Sequence, residues 1–238
     1  MAETLSFSSG NFNLGENDAK GTVKLAVDDQ GDGRFLLTND DGSTIKGLGI
    51  QGDNEPLTLE IVSDATTTLK RGTINLGNEG DTLIISGKTK KDSDFDTGKG
   101  KDRFASGDTF NASDLEMGKG RDRARLNNEE GKFVAKESSF SMGAGNDKLV
   151  FNGGVKEIQA DLGTGEDTLI FGGDIKGATV NLGADGQKDT IKIAEGAKIE
   201  GLKIEGAEVG DVLFIGSTEY QYNAVNNSWV NGDEEIKF

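Results

Sequence analysis

The sequence predicts an all-β fold, a right-handed parallel β-solenoid with two-strand coils of about 20 residues and capping hairpins. Three observations predict it. The 238 residues contain 36 Gly and a single Pro, a composition that turns often and serves helix poorly. Apolar residues alternate in short runs bounded by glycine, the pattern of half-buried strands. A unit of the form x-L-G-x-G-x-D-x-L-x-F recurs through most of the chain, and periods of this size mark stacked repeat architectures.

The unit reads NLGNEGDTLII from Asn75, DTGKGKDRFAS from Asp96, EMGKGRDRARL from Glu116, SMGAGNDKLVF from Ser141, DLGTGEDTLIF from Asp161 and NLGADGQKDTIKI from Asn181, the last with two extra residues. Its leading glycines are Gly77, Gly98, Gly118, Gly143, Gly163 and Gly183, at intervals of 21, 20, 25, 20 and 20. Each interval holds two alternating segments separated by glycine corners. Val155-Lys156-Glu157-Ile158-Gln159-Ala160 and Thr168-Leu169-Ile170-Phe171 form one such pair, with corners at Gly153-Gly154 and from Gly163 to Asp167. Neither segment can bury its apolar side alone. Coils stacked at about 4.8 Å bury a continuous core and satisfy one another's backbone. Leu76, Met117, Met142, Leu162 and Leu182 are then expected to form one internal ladder, and Leu83, Phe104, Leu149, Leu169 and Ile191 another.

The longer interval holds extra residues around Asn127-Asn128-Glu129-Glu130-Gly131-Lys132, read as a loop on one face. Residues 1–72 carry the pattern less clearly and are read as an N-terminal β cap or attachment region. In that region Val23, Leu25 and Val27, the turn Asp29-Gln30-Gly31-Asp32-Gly33, and Phe35 and Leu37 read as a hairpin. Ile45, Leu48, Ile50, Leu57, Leu59 and Ile61 read as irregular early coils. Residues 73–215 form the repeat domain. Its last coil holds Gly201-Leu202-Lys203-Ile204-Glu205-Gly206 and Asp211-Val212-Leu213-Phe214-Ile215. Residues 216–238 form a C-terminal β cap, in which Tyr220, Tyr222, Val225 and Trp229 flank a turn at Asn226-Asn227. Caps are needed because a bare terminal coil presents an unpaired edge.

Composition narrows the chemistry. The formal charge of -16 favours solubility and cations over nucleic acid or anionic membranes. With no His and no Cys, imidazole and thiolate metal sites, disulfides, cysteine nucleophiles and Ser-His-Asp triads are excluded, leaving oxygen ligands. No apolar run is long enough for membrane insertion. Met1-Ala2-Glu3-Thr4 has neither the basic nor the apolar region of a secretory signal, although virion proteins and repeat proteins with C-terminal export signals need none.

The glycine-aspartate turns resemble the RTX family of calcium-binding repeats, whose ideal unit is GGxGxDxUx with U a large apolar residue. GAGND before Leu149 and GTGED before Leu169 match it best. The resemblance covers residues 75 to 193 and implies Ca²⁺ as the cofactor, with Asp147 and Asp167, then Asp81 and Asp189, as ligands. The sequence departs from that pattern where Leu or Met replaces the first glycine, in its longer period, and in basic residues at several turns. Ca²⁺ needs 6 to 8 hard oxygen ligands, which glycine turns supply by gathering carbonyls beside a carboxylate. The competing role for each Asp, including Asp185 and Asp211, is an Asx turn accepting hydrogen bonds from its own turn amides.

Lys99, Lys101 and Arg103 recur 20 residues later as Lys119, Arg121 and Arg123, so stacking places like charges on adjacent coils of an acidic protein. Either Asp102 and Asp122 neutralise this stripe from within, or it docks an acidic protein subunit, a sulfated glycan or another polyanion. The resulting expectation is a non-enzymatic structural protein of a larger assembly, a bacteriophage virion fibre, decoration or cement component that oligomerises with itself or with other structural subunits. The alternatives are a secreted or surface-layer calcium-binding protein, for which the acidic C-terminus Asp233-Glu234-Glu235-Ile236-Lys237-Phe238 serves as a non-classical secretion signal, and a polysaccharide-acting solenoid enzyme using a carboxylate pair. No phosphate-binding loop motif occurs, and no regular Thr-x-Thr ladder points to ice binding.

Overall fold

In the computed structural model the chain is described throughout from residue 133 to residue 238. Before that point it is described except at residues 1–2, 9–10, 14–24, 32–33, 40–43, 47, 53–54, 64–67, 91 and 128–132. The chain is a right-handed parallel β-solenoid whose coils stack in register. Face A is built from Leu48–Gln51, Thr73–Asn75, Ser93–Asp96, Ser113–Glu116 and Ser139–Ser141, then the later parts of Gly154–Asp161, Ile175–Asn181 and Ile199–Glu205. Face B is built from Arg34–Asn39, Thr58–Ser63, Thr82–Ile85, Arg103–Ser106, Arg123–Leu126, Lys148–Phe151, Thr168–Phe171, Thr190–Ile193 and Val212–Ile215. No helix long and apolar enough to cross a membrane occurs among the described residues.

A third short segment, face C, joins the two-strand coil anticipated from the sequence. It includes Lys88–Lys90, Phe110–Asn111 and Phe133–Lys136, and leads straight into face A of the next coil. The bend between C and A is a column of left-handed residues: Arg71, Asp92, Ala112, Glu137 and Glu157 at φ between 47° and 54°, then Gly177 and Gly201 at 69° and 65°. A left-handed L-residue costs about 1–2 kcal/mol. Here the neighbouring coil holds the bend, because the Asp92 amide donates to the Ala112 carbonyl, Ala112 to Lys136 and Glu137 to Lys156. Apart from Gly72 beside Arg71, no glycine marks this corner before Gly177, which is why the third segment escaped the sequence pattern.

Both anticipated apolar ladders are present. Leu76, Met117, Met142, Leu162 and Leu182 are buried in successive coils, as are Leu83, Phe104, Leu149, Leu169 and Ile191, which pair in register through face B. In the first ladder Thr97 takes the place of an apolar residue, and its hydroxyl donates to the Met117 carbonyl at 3.1 Å. Phe95, Phe104, Phe110, Phe140, Phe151 and Phe171 form an aromatic column with successive centroids 5.0 to 6.0 Å apart. The motif's leading glycine is required by close approach: a Cβ at Gly118 (φ 86°) would lie 1.6 Å from the Gly98 carbonyl oxygen.

Antiparallel strands close the stack. Leu25–Gly31 and Arg34–Asn39 form the anticipated hairpin, with its first strand running on to Gly31, while Val23 and the tip at residues 32–33 lie outside the described residues. Arg34–Asn39 pairs in parallel with Thr58–Ser63, and Thr44–Lys46 and Leu48–Gln51 pair in parallel with the strands beyond them. At the far end Val212–Ile215, Thr218–Asn223, Ser228–Asn231 and Glu234–Ile236 form a meander that buries Tyr220 and Trp229. Of the expected surface loop, residues 128–132 lie outside the described residues.

Two substitutions test this packing. Leu162→Ala should cost about 2–5 kcal/mol, as truncations of buried leucines do, while the exposed Glu200→Ala changes stability by less than about 0.5 kcal/mol in the same denaturant titration. Ala112→Gly should stabilise by about 0.5–1 kcal/mol, since relief of the left-handed strain exceeds the added chain entropy of glycine. A loss of stability there would show that the corner is unstrained.

Candidate functional site

The aspartate that closes each glycine turn is the most constrained polar group of the coil. Asp81, Asp102, Asp122, Asp147, Asp167, Asp189 and Asp211 stack in one buried column, none more than 3% exposed. Each lies immediately before a face B strand, so strand alternation turns its side chain inward while the next residue faces out, except after Asp211, where Val212 is itself buried. The amide of each Asp donates to Oδ1 of the Asp in the following coil, from Asp81 to Asp102 through Asp189 to Asp211, at 2.7 to 2.8 Å. Its carbonyl accepts from the first strand residue of that same coil, as Asp102 does from Arg123 and Asp147 from Thr168, both at 3.0 Å. At one end Asp81 Oδ1 accepts the Leu57 amide, and at the other Asp211 Oδ2 accepts the Glu208 amide.

These bonds run between coils, so the Asx-turn reading from the sequence is corrected for Asp102, Asp122, Asp147, Asp167 and Asp189, which receive amides of the preceding coil rather than those of their own turns. Asp185 and Asp211 do bond their own turns: Asp185 takes the Gln187 amide on Oδ1 while its Oδ2 receives the Gly165 amide, and Asp211 takes the Glu208 amide on Oδ2. The structure brings the four candidate ligands Asp81, Asp147, Asp167 and Asp189 into one column and adds Asp102, Asp122 and Asp211. The clue to the additional members was the invariant place of Asp in every repeat, including the two with basic turns.

The second carboxylate oxygen is different. Oδ2 of Asp102, Asp122, Asp147, Asp167 and Asp189 is buried with no hydrogen-bond partner. A buried acceptor left unmade costs about 1–3 kcal/mol, more when charged, so the column favours any state that neutralises it. Burial pushes the carboxyls of Asp122, Asp167 and Asp189 up to about 7 and that of Asp147 to about 6, against the lowering effect of the amide each accepts. Neighbouring ladder carboxylates raise Asp122, Asp167 and Asp189 further. Asp102 and Asp211 shift upward as well, again chiefly through burial.

A cation provides the alternative to a proton. Unpartnered hard oxygens along one column suit Ca²⁺ in kind. No group of three or more Asp or Glu side chains gathers in metal-binding geometry among the described residues, so most ligands would have to be main-chain carbonyls. The corner carbonyls of Gly98, Gly118 and Gly143 already accept inter-coil amides from Lys119, Ala144 and Thr164 and retain one lone pair each.

The basic stripe lies around the corner from the ladder. Lys99 stacks on Lys119, and Arg103 on Arg123, which is followed in register by Lys148. Lys101 and Arg121 are exposed beside them. The sequence-based expectation that Asp102 and Asp122 neutralise this stripe is overturned, because both point into the core and accept main-chain amides. Arg125, missed by the repeat comparison because Ala105 precedes it, extends the stripe. On the opposite face Asp94, Asp96, Asp114 and Glu116 line a groove of about 650 Å³ that continues past Asp161 to Glu205.

No protein-family model matches the sequence, and neither a curated protein nor a solved structure matches it.

The ladder has a testable titration. Because folding raises these pKa values above the ordinary carboxylate value of 3.8, the folded state holds more protons between that value and about 7. Its contribution to stability is therefore fully present below 3.8 and is lost as pH rises through about 7. In calcium-free buffer Asp167→Asn should gain stability relative to the native chain between pH 5 and pH 8, read from paired denaturant curves. A difference independent of pH would mean that Asp167 keeps one charge state throughout.

Proposed function

We propose that the chain is a non-enzymatic structural solenoid of the secreted or cell-surface calcium-binding type, in which Ca²⁺ neutralises the aspartate column. The observation that carries this reading is the set of five buried, unpartnered Oδ2 atoms in consecutive coils. The GxGxD turns that resemble RTX repeats point the same way, since Asp147 and Asp167 of the best-matched turns are both ladder members. The aspartate column bears on this reading, whereas no described feature favours the virion fibre, decoration or cement component expected first from the sequence. Asp147, Asp167 and Asp189 would supply carboxylate oxygens and the glycine corners carbonyl oxygens. A bound ion offsets the buried negative charge, so loading is coupled to stacking of the coils. Sites with few carboxylates fall in the weak range of extracellular modules, with Kd of about 10⁻⁴–10⁻³ M. That range suits a protein ordered outside the cell, where calcium is plentiful.

Thermal melting tests the proposal. Millimolar CaCl₂ should raise Tm by several degrees at pH 8, with MgCl₂ less effective because Mg²⁺ demands tighter octahedral geometry. The double variant Asp147→Asn, Asp167→Asn should lose most of that rise. Absence of both a Tm shift and binding heat at millimolar Ca²⁺ would leave protonation as the means by which the column is neutralised.

A further inference from the structure

The coils at residues 93–106 and 113–126 separate charge across their own width. On face A they present Asp94 over Asp114 and Asp96 over Glu116. Across the glycine corner the same two coils present Lys99 over Lys119, Lys101 and Arg121, Arg103 over Arg123, and Arg125. No ion pair joins the two sets among the described residues. The acidic side chains have uncharged partners, Asn75 for Asp96 and Ser139 for Asp114. Arg125 lies against the neutral Asn152 amide, with Nε 2.6 Å from its oxygen in the orientation that satisfies both groups. The Asp94 carboxyl is raised from its ordinary value by partial burial and by the like charges of Asp114 and Asp92.

The two arrays share one lattice. Both stand on parallel sheets, so charges repeat at about 4.8 Å between coils and about 6.6 Å along a strand. A basic array of this pitch fits an acidic array of the same pitch with every rung in step. We propose that face B of one copy docks, through Arg103, Arg123 and Arg125, on the acidic groove of face A of a second copy around Asp94 and Asp114. The contact joins two different surfaces, so it is heterologous and propagates into rings or filaments rather than closing as a two-fold dimer. The net charge of -16 opposes approach at long range. At about 0.15 M salt that repulsion is screened within about 8 Å, which leaves contact-range complementarity to decide. This association involves none of the ladder oxygens and stands whether or not calcium binds.

Sedimentation velocity of the full chain in calcium-free buffer, repeated with calcium, tests the contact. At about 0.1 M salt the weight-average mass should rise with concentration beyond that of a dimer, and return to the monomer near 1 M, where the screening length is about 3 Å. The triple variant R103E/R123E/R125E and the double variant D94K/D114K should each weaken association at least tenfold with Tm unchanged, because all five side chains are exposed. An equimolar mixture of the two variants should associate again, since one now has acid on both faces and the other base. A native chain that stays monomeric at all concentrations overturns the proposal, as does association that survives either variant or a mixture that fails to recover. Monomers that instead bind a sulfated polysaccharide through Arg103 and Arg123 would overturn it too, assigning the basic face to an anionic polymer.

Discussion

The hydrogen bond from each ladder aspartate's amide to the carboxylate of the aspartate one coil further on is the interaction around which the coil is arranged. It fixes the point where the glycine corner ends and face B begins. Once Asp147 and Asp167 are joined in this way, Leu149 is set over Leu169 and Phe151 over Phe171. The same constraint absorbs differences in coil length. Successive ladder residues are 21, 20, 25, 20, 22 and 22 positions apart, yet the strands that follow them pair without a shift. Extra residues leave the stack between anchors.

Using one oxygen for architecture leaves the other to be neutralised. An apolar residue at this position would avoid the buried acceptor but leave an amide of the preceding coil without a partner, a penalty of the same order. A carboxylate satisfies that amide at the cost of buried negative charge. The column therefore needs protons or cations, and the stability of the stack is tied to its solvent. The group that sets the register is thus also the one whose charge state depends on the surrounding solution.

Charge outside the core obeys the same geometry with opposite results. Strand alternation sends Asp102 and Asp122 inward and Arg103 and Arg123 outward, so residues adjacent in sequence are kept from pairing. Parallel stacking then multiplies each choice along the axis, and one basic turn repeated once becomes a basic face. The acidic groove arises likewise from Asp94 and Asp96 with Asp114 and Glu116 above them. A protein of strongly negative balance thus carries a positive surface with which no carboxylate pairs among the described residues.

Periodicity by itself determined the solenoid, the two apolar ladders and the C-terminal cap, because a repeat that cannot bury its apolar side alone has few ways to fold other than stacking. The resemblance of the glycine turns to RTX repeats pointed to Asp147, Asp167, Asp81 and Asp189. Only the tertiary structure decided what those residues bond to. An Asx turn and an inter-coil ladder require the same residues at the same spacing, and they differ only in which coil supplies the amide. The third strand segment and its left-handed corner were hidden for a related reason: Arg71, Asp92, Ala112, Glu137 and Glu157 share a backbone conformation but no side-chain chemistry. Their neighbours in the stack impose that conformation, and adjacency between coils is not written in the order of residues along the chain.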